Sequence, residues 1–320
     1  MVPIAAVVTA FGEAPRCREF AEPIVVGEHE AVVDVLASAL SPRVRSQAAG
    51  SHYTSTGELP LIPGIDGVGL LATGELVYFL LSDTTRGAMA ERVAIDLRRS
   101  VLLPRDADPV RIAAAMNPAM ASWVALRQRV AFEPGQSVLV LGATGLAGRA
   151  AVAVARRLGA GDVVAAGRNV ERLADLWAAG EARTVELDDA PEAVADSLAE
   201  AGAEVDVVLD FLWGEPTRTA LCAIVPHRRH EGQLLSWVQI GSAAGLESAI
   251  PSAALRAVNL RILGSGQGSV APRAYREEIA ELAREIHAGA FVAPTKTVRL
   301  AEVETAWADD DGGTRIVVIP

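Results

Sequence analysis

Ser137 to Asn169 reads SVLVLGATGLAGRAAVAVARRLGAGDVVAAGRN. Val138 to Leu141 is a short apolar run rich in β-branched residues, the pattern of a strand buried on both faces. Gly142, Gly145 and Gly148 follow at three-residue spacing, and Ala150 to Leu158 supplies a helix-forming run that stops at Gly159. A second apolar strand, Val163 to Ala166, comes next. Strand, glycine turn, helix and strand predict an α/β unit with a doubly wound parallel sheet. Small residues at such a turn let the backbone approach a pyrophosphate, whose charge is favoured by the unpaired N–H groups of the helix N-terminus. A site that reads a free ribose 2′-OH places Asp or Glu after the second strand; here Gly167, Arg168 and Asn169 stand there. A carboxylate would repel a 2′-phosphate, whereas Arg pairs with it bidentately, so the pattern points to NADPH over NADH. The competing readings are an ordinary strand-to-helix turn and a surface arginine.

The 320 residues suffice for two domains, each with its own core, and 51% hydrophobic content argues against disorder. A net charge of −11 discourages binding to nucleic acid or to an anionic membrane. No basic segment precedes the apolar opening Ile4 to Val8, and Arg, Asn or Pro interrupts every apolar run before spanning length. The expectation is a soluble, cytoplasmic protein. Cys17 and Cys222 lie far apart and match no metal-ligand spacing, so they read as reduced structural thiols. His227 and His230, in Pro226-His-Arg-Arg-His-Glu-Gly232, resemble a two-histidine pair, but two intervening Arg would repel a cation and a solvated loop is expected.

The first third reads as β structure. Ile4 to Thr9, Glu30 to Ala37, Thr73 to Leu81 and Ala88 to Ile95 are predicted strands, and the glycines and prolines of Leu59 to Gly69 make a helix there improbable. After Leu103-Pro104, helices are expected over Pro109 to Met116 and Ala119 to Val130, broken at Asn117-Pro118. Beyond the glycine unit, Leu260 to Gly264 reads as a strand and Ala274 to His287 as a helix.

In order along the chain stand PGIDGVG (Pro63 to Gly69), GAMAERV (Gly87 to Val93), Leu103-Pro104, AFEPGQSVLVLGATGLAG (Ala131 to Gly148), VDVVLD (Val205 to Asp210), QIGSAAG (Gln239 to Gly245) and ILGS (Ile262 to Ser265). With these pieces the chain resembles a medium-chain dehydrogenase/reductase of the zinc-free quinone oxidoreductase branch. GATGLAG also opens short-chain reductases, where it lies near the N-terminus; here a β-rich segment precedes it. The resemblance implies a GroES-like substrate domain, residues 1–118 with 268–320, and a Rossmann domain, residues 119–267. Thr144, Gly145, Leu146 and Ala147 are then expected at the pyrophosphate, Gly167, Arg168 and Asn169 at the 2′-phosphate, and Gly241 and Ser242 at the nicotinamide side. Ser122 falls where relatives often carry Thr and is expected near the nicotinamide, unless its hydroxyl bonds back to its own helix. Zinc-dependent relatives carry an early Cys and a Gly-His-Glu where this chain has Ser41-Pro-Arg-Val44 and Pro63-Gly-Ile-Asp66, so no zinc site is expected. A homodimer formed by pairing edge strands is a further family expectation.

The implied activity is hydride transfer from NADPH to a small-molecule conjugated carbonyl, namely a quinone, an enone or an enoyl thioester. Relatives often show an Asn and a Tyr where this chain has Ser41 and Ser46. That change leaves open a biosynthetic enoyl reductase with a narrow substrate, or a non-catalytic NADPH-binding sensor. Tyr53 and His52 follow as candidate proton donors, with Ser46 beside them, and Arg43 or Arg45 as candidates to hold a substrate oxygen. Asp66, in the PGIDGVG turn, reads as structural.

Overall fold

The computed structural model describes residues 2–309 and 312–320; Met1, Asp310 and Asp311, all inside the expected substrate domain, lie outside the described residues. The chain divides into two compact units, Met1–Asn117 with Arg276–Pro320, and Pro118–Tyr275.

The terminal unit begins with an antiparallel pair, β1 (Ile4–Val7) and β2 (Arg16–Glu19). β3 (Glu30–Leu40) is its longest strand, and α1 (Pro42–Ala48) follows at once. Then come β4 (Asp66–Leu71), β5 (Leu76–Leu80), β6 (Arg92–Asp96) and β7 (Ser100–Leu102). Ser41 starts α1 by accepting the Val44 amide on Oγ at 3.2 Å, and Pro42 presets the first helical φ. These two signals make a helix of a segment whose sequence shows no apolar period. In the PGIDGVG turn Gly64 has φ +116°, and a Cβ there would lie 2.8 Å from the Ala88 amide nitrogen, so only glycine fits.

Helix α2 (Pro109–Val124) crosses from the first unit into the second and continues as a π-helical turn, Ala125–Arg129. The expected break at Asn117-Pro118 does not occur. Pro118 sits inside one helix, because Met116, Ala119, Met120 and Trp123 around it are all buried and their packing outweighs the lost backbone hydrogen bond.

The central unit holds β8 (Ser137–Leu141), α3 (Leu146–Arg157), β9 (Asp162–Gly167), α4 (Val170–Ala178), β10 (Arg183–Glu186), α5 (Pro191–Gly202), β11 (Val207–Asp210), α6 (Gly214–Ile224), β12 (Leu235–Gln239), α7 (Ala254–Ala257) and β13 (Leu260–Gly264). All pairings in its sheet are parallel, in the order β10-β9-β8-β11-β12-β13. That is the doubly wound order 3-2-1-4-5-6, whose direction reverses between β8 and β11. Val138, Leu139, Val140 and Leu141 are fully buried, as a strand covered on both faces requires.

The chain returns to the terminal unit through α8 (Pro272–His287), then β14 (Thr295–Arg299), α9 (Val303–Trp307) and β15 (Arg315–Ile319). The return crossing falls inside α8, between Tyr275 and Arg276. β15 lies between β14 and β3 in a seven-stranded sheet ordered β14-β15-β3-β4-β5-β7, with β6 also paired to β3.

Candidate functional site

β8 delivers the chain to the point where the central sheet reverses direction. Gly142 turns it at φ +92°, and the amides of Gly142 and Ala143 both donate to Ala166 O at 2.9 Å, tying the turn to β9. Gly148, in the first turn of α3, is bare for internal reasons: a Cβ there would stand 2.1 Å from Gly142 O. A Cβ at Gly167 would likewise meet Thr144 Cγ2 at 2.5 Å. Gly145 differs. Its φ is −81°, and a Cβ would meet only Gly142 O, at an ordinary 3.7 Å. Nothing among the described residues requires glycine at this position. Gly145 is also the N-cap of α3 and supplies no side-chain cap, and no acidic side chain lies in the first turn. An uncapped helix start with an open approach over Gly145, Leu146 and Ala147 fits a pyrophosphate held on backbone N–H groups.

At the end of β9, Arg168 is exposed and has no hydrogen bond or ion pair among the described residues. Asn169 is the N-cap of α4, its Oδ1 accepting the Arg172 amide at 2.9 Å. Arg172 itself reaches back, donating from Nη1 to Thr144 O at 3.1 Å. The sequence gives little notice of this residue. Its contact spans 28 positions, and only its place three residues after an Asn cap hints that it shares the loop.

The ends of β11 and β12 are locked together by Asp210. Its fully buried carboxylate accepts the Leu212 and Trp213 amides at 2.9 Å, Thr217 Oγ1 at 2.6 Å and Trp237 Nε1 at 2.9 Å. The Gly241 amide donates to Asp210 O at 3.1 Å, and a Cβ on Gly241 would lie 2.8 Å from Phe211 O. Ser242 follows on the surface. Ser122 is fully buried in α2 and its hydroxyl donates to Ala119 O at 3.1 Å, the geometry of a serine bonded to its own helix.

The candidate catalytic residues lie in the terminal unit. Ser46 Oγ donates to Arg43 O at 2.9 Å. Arg45 donates to Trp307 O and, at 3.0 Å, to Asp309 O, and its guanidinium lies over the Trp307 ring at 5.5 Å. Arg45 therefore ties α1 to residues 307 and 309, whereas the Ser46 hydroxyl is bonded back within α1 itself. Tyr53 is 86% exposed, and its ring leans on His52 with centroids 4.3 Å apart. Arg43, Thr54 and Asp83 form a hydrogen-bonded cluster with His52 that the sequence does not disclose. Burial, with help from Arg43 and against Asp83, holds the His52 imidazole below its usual 6.5. Asp66, buried behind Tyr78 Oη at 2.8 Å, is pushed up to about 6 by burial, with Tyr78 and Arg315 opposing. No group of three or more His, Cys, Asp or Glu among the described residues is arranged to hold a metal. No helix among them is long and apolar enough to cross a membrane.

No protein-family model matches the chain. A protein of Emericella nidulans described as a probable NADPH-dependent quinone reductase is 30% identical over 352 residues, covering 96% of each chain. The chain belongs to the medium-chain dehydrogenase/reductase superfamily, in its quinone oxidoreductase-like branch. The quinone oxidoreductase of Thermus thermophilus, solved alone and with NADPH, superposes with a TM-score of 0.77 at 29% identity, covering 99% of this chain and 100% of that one. An alcohol dehydrogenase superfamily protein of Novosphingobium aromaticivorans shares the fold, with a TM-score of 0.81 at 22% identity over 99% of both chains. The terminal unit of this medium-chain reductase is thus its GroES-like domain and the central unit its Rossmann domain.

Proposed function

We propose that this protein is an NADPH-dependent, zinc-independent reductase that delivers hydride to a quinone or another conjugated carbonyl. The observation that carries the reading is Gly145, bare and uncapped at the start of α3 with no internal need to be so. The Emericella and Thermus relatives, one described as NADPH-dependent and one solved with NADPH, support the choice of cofactor. When bound, NADPH supplies the hydride. The protein's part is to hold and orient: backbone N–H groups of residues 145–147 take the pyrophosphate, Arg168 and Arg172 the 2′-phosphate, and the backbone at Gly241 and Ser242 the nicotinamide side. Asp210 keeps the ends of β11 and β12 in register for that purpose. The 51–54 segment of the GroES-like domain supplies the proton. The donor set speaks for a reaction without zinc, since Ser41-Pro-Arg-Val44 and Pro63-Gly-Ile-Asp66, which stand where zinc-dependent relatives carry Cys and Gly-His-Glu, offer neither Cys nor His, and Asp66 is committed to Tyr78.

We further propose a homodimer built on β13, an edge of the Rossmann sheet, and a cytoplasmic location, which the two free thiols of Cys17 and Cys222 favour. The test is NADPH oxidation by the purified protein with a benzoquinone and with an α,β-unsaturated ketone. Turnover of at least one, faster with NADPH than with NADH, is the expected result; turnover of neither overturns the reading.

A further inference from the structure

A chain of hydrogen bonds in the GroES-like domain ends on a histidine. Arg43 donates from Nη2 to Asp83 Oδ1 and, at 2.8 Å, to Thr54 Oγ1. Thr54 gives its hydroxyl hydrogen to Asp83 Oδ2 at 2.7 Å, and the same Thr54 oxygen lies 2.7 Å from His52 Nδ1. A hydroxyl has one hydrogen and two lone pairs. With the hydrogen committed to Asp83, both lone pairs accept, one from Arg43 and one from His52, so Nδ1 must carry a proton. The Thr54 amide, 3.3 Å from Nδ1, is the weaker contact and yields. The network thereby fixes the tautomer and leaves Nε2, which has no partner among the described residues, as the nitrogen that exchanges protons.

We propose that His52 is the proton donor of the reduction, with Thr54, Asp83 and Arg43 as its positioning residues. The assignment rests on the reading of the chain as a quinone or enone reductase. Addition of hydride from the reduced nicotinamide to the conjugated acceptor pushes its π electrons onto oxygen, leaving a hydroquinone monoanion or an enolate. A lone pair of that anion takes the Nε2 proton of the imidazolium, the N–H electron pair stays on Nε2, and water returns a proton to the ring. The substrate gains two electrons and the nicotinamide loses them. The charged groups facing His52 are Arg43 on α1 and Asp83 in the loop after β5, with the Tyr53 ring on its face. Because the imidazole sits below its usual 6.5, the charged donor grows as pH falls.

The test measures kcat/KM for a quinone and an enone from about pH 5 to 8, alongside proton NMR titration of the ring in the NADPH-free protein. Wild-type kcat/KM is expected to rise as pH falls, tracking the ring titration, with its midpoint below the usual 6.5. His52→Gln flattens that limb and lowers kcat/KM roughly 100-fold. Asp83→Asn removes the group that holds the imidazole pKa up, so the kinetic limb and the ring titration both move to lower pH. Thr54→Val lowers kcat and moves the kinetic limb and the ring titration together, a coupling that simple loss of loop structure would not give. An active wild type whose limb survives in His52→Gln, or disappears in Tyr53→Phe instead, overturns the assignment and leaves the reductase reading intact. A wild type inactive on both substrates overturns that reading and this assignment with it.

Discussion

Arg168 and Arg172 stand four positions apart after β9 and are in different states before anything binds. Arg168 is exposed with no ion pair among the described residues, whereas Arg172 already holds Thr144 O. Removing the first should subtract a single charge-assisted contact to the 2′-phosphate, worth about 2 kcal/mol. Arg168→Ala is therefore expected to weaken NADPH binding roughly 10- to 100-fold and leave NADH binding as it was. Arg172→Ala also frees the glycine turn, so both cofactors should weaken. Calorimetric titration of each variant with both cofactors checks this, and equal losses for Arg168→Ala would contradict it. Asp66 offers a prediction of another kind. The folded state holds its carboxyl up to about 6 against an ordinary 3.8, so it retains a proton that the unfolded chain releases between those values. Stability is then highest below the unfolded value and falls as pH rises through the folded one, by on the order of 3 kcal/mol. Asp66→Asn, which keeps an acceptor for Tyr78, should lose that slope. Urea midpoints for the two proteins that fall in parallel across the window would refute it.

Among elements, the strand-turn-helix of β8 and α3 separates two jobs of glycine. Gly148→Ala drives a Cβ into Gly142 O and should destabilise the protein by about 3 kcal/mol or more. Gly145→Ala meets no such obstacle, so it should fold with wild-type stability and bind NADPH more weakly. Thermal melts with and without cofactor distinguish the two outcomes. This element is legible from sequence because all its determinants are local: a β-branched run, glycines at fixed spacing, then helix formers. The same local rule misleads at Asn117-Pro118, where burial on both sides of Pro118 carries the helix through. α1 escapes sequence reading for the opposite reason, since seven residues with two arginines show no period, and only Ser41 and Pro42 announce the start. Of the site, backbone features can be read in advance. Arg172 on Thr144, Asp210 between β11 and β12, and the chain from Arg43 to His52 cannot, because each depends on side chains that only the completed fold brings together.

In the whole molecule, the Rossmann domain is one continuous stretch set between the two pieces of the GroES-like domain. Its β13 has one paired side. Ser265 N donates to Gln239 O, so alternate residues turn toward β12 and Ile262, one step out of phase, turns its N–H outward. Ile262→Pro removes that outward donor while sparing the ladder to β12, and should convert the proposed dimer into a monomer that still binds NADPH. Sedimentation velocity decides it; an undiminished dimer would place the contact elsewhere. β15 closes the other sheet by sitting between β14 and β3. A ribosome must therefore deliver the entire Rossmann domain before the strand that pairs with Ser38 to Leu40 of β3 emerges, and until then that end of β3 waits with backbone groups open to any passing strand. Chaperone dependence during synthesis should be concentrated in that interval, and a nascent chain halted just short of Arg315 should be the species that holdases retain.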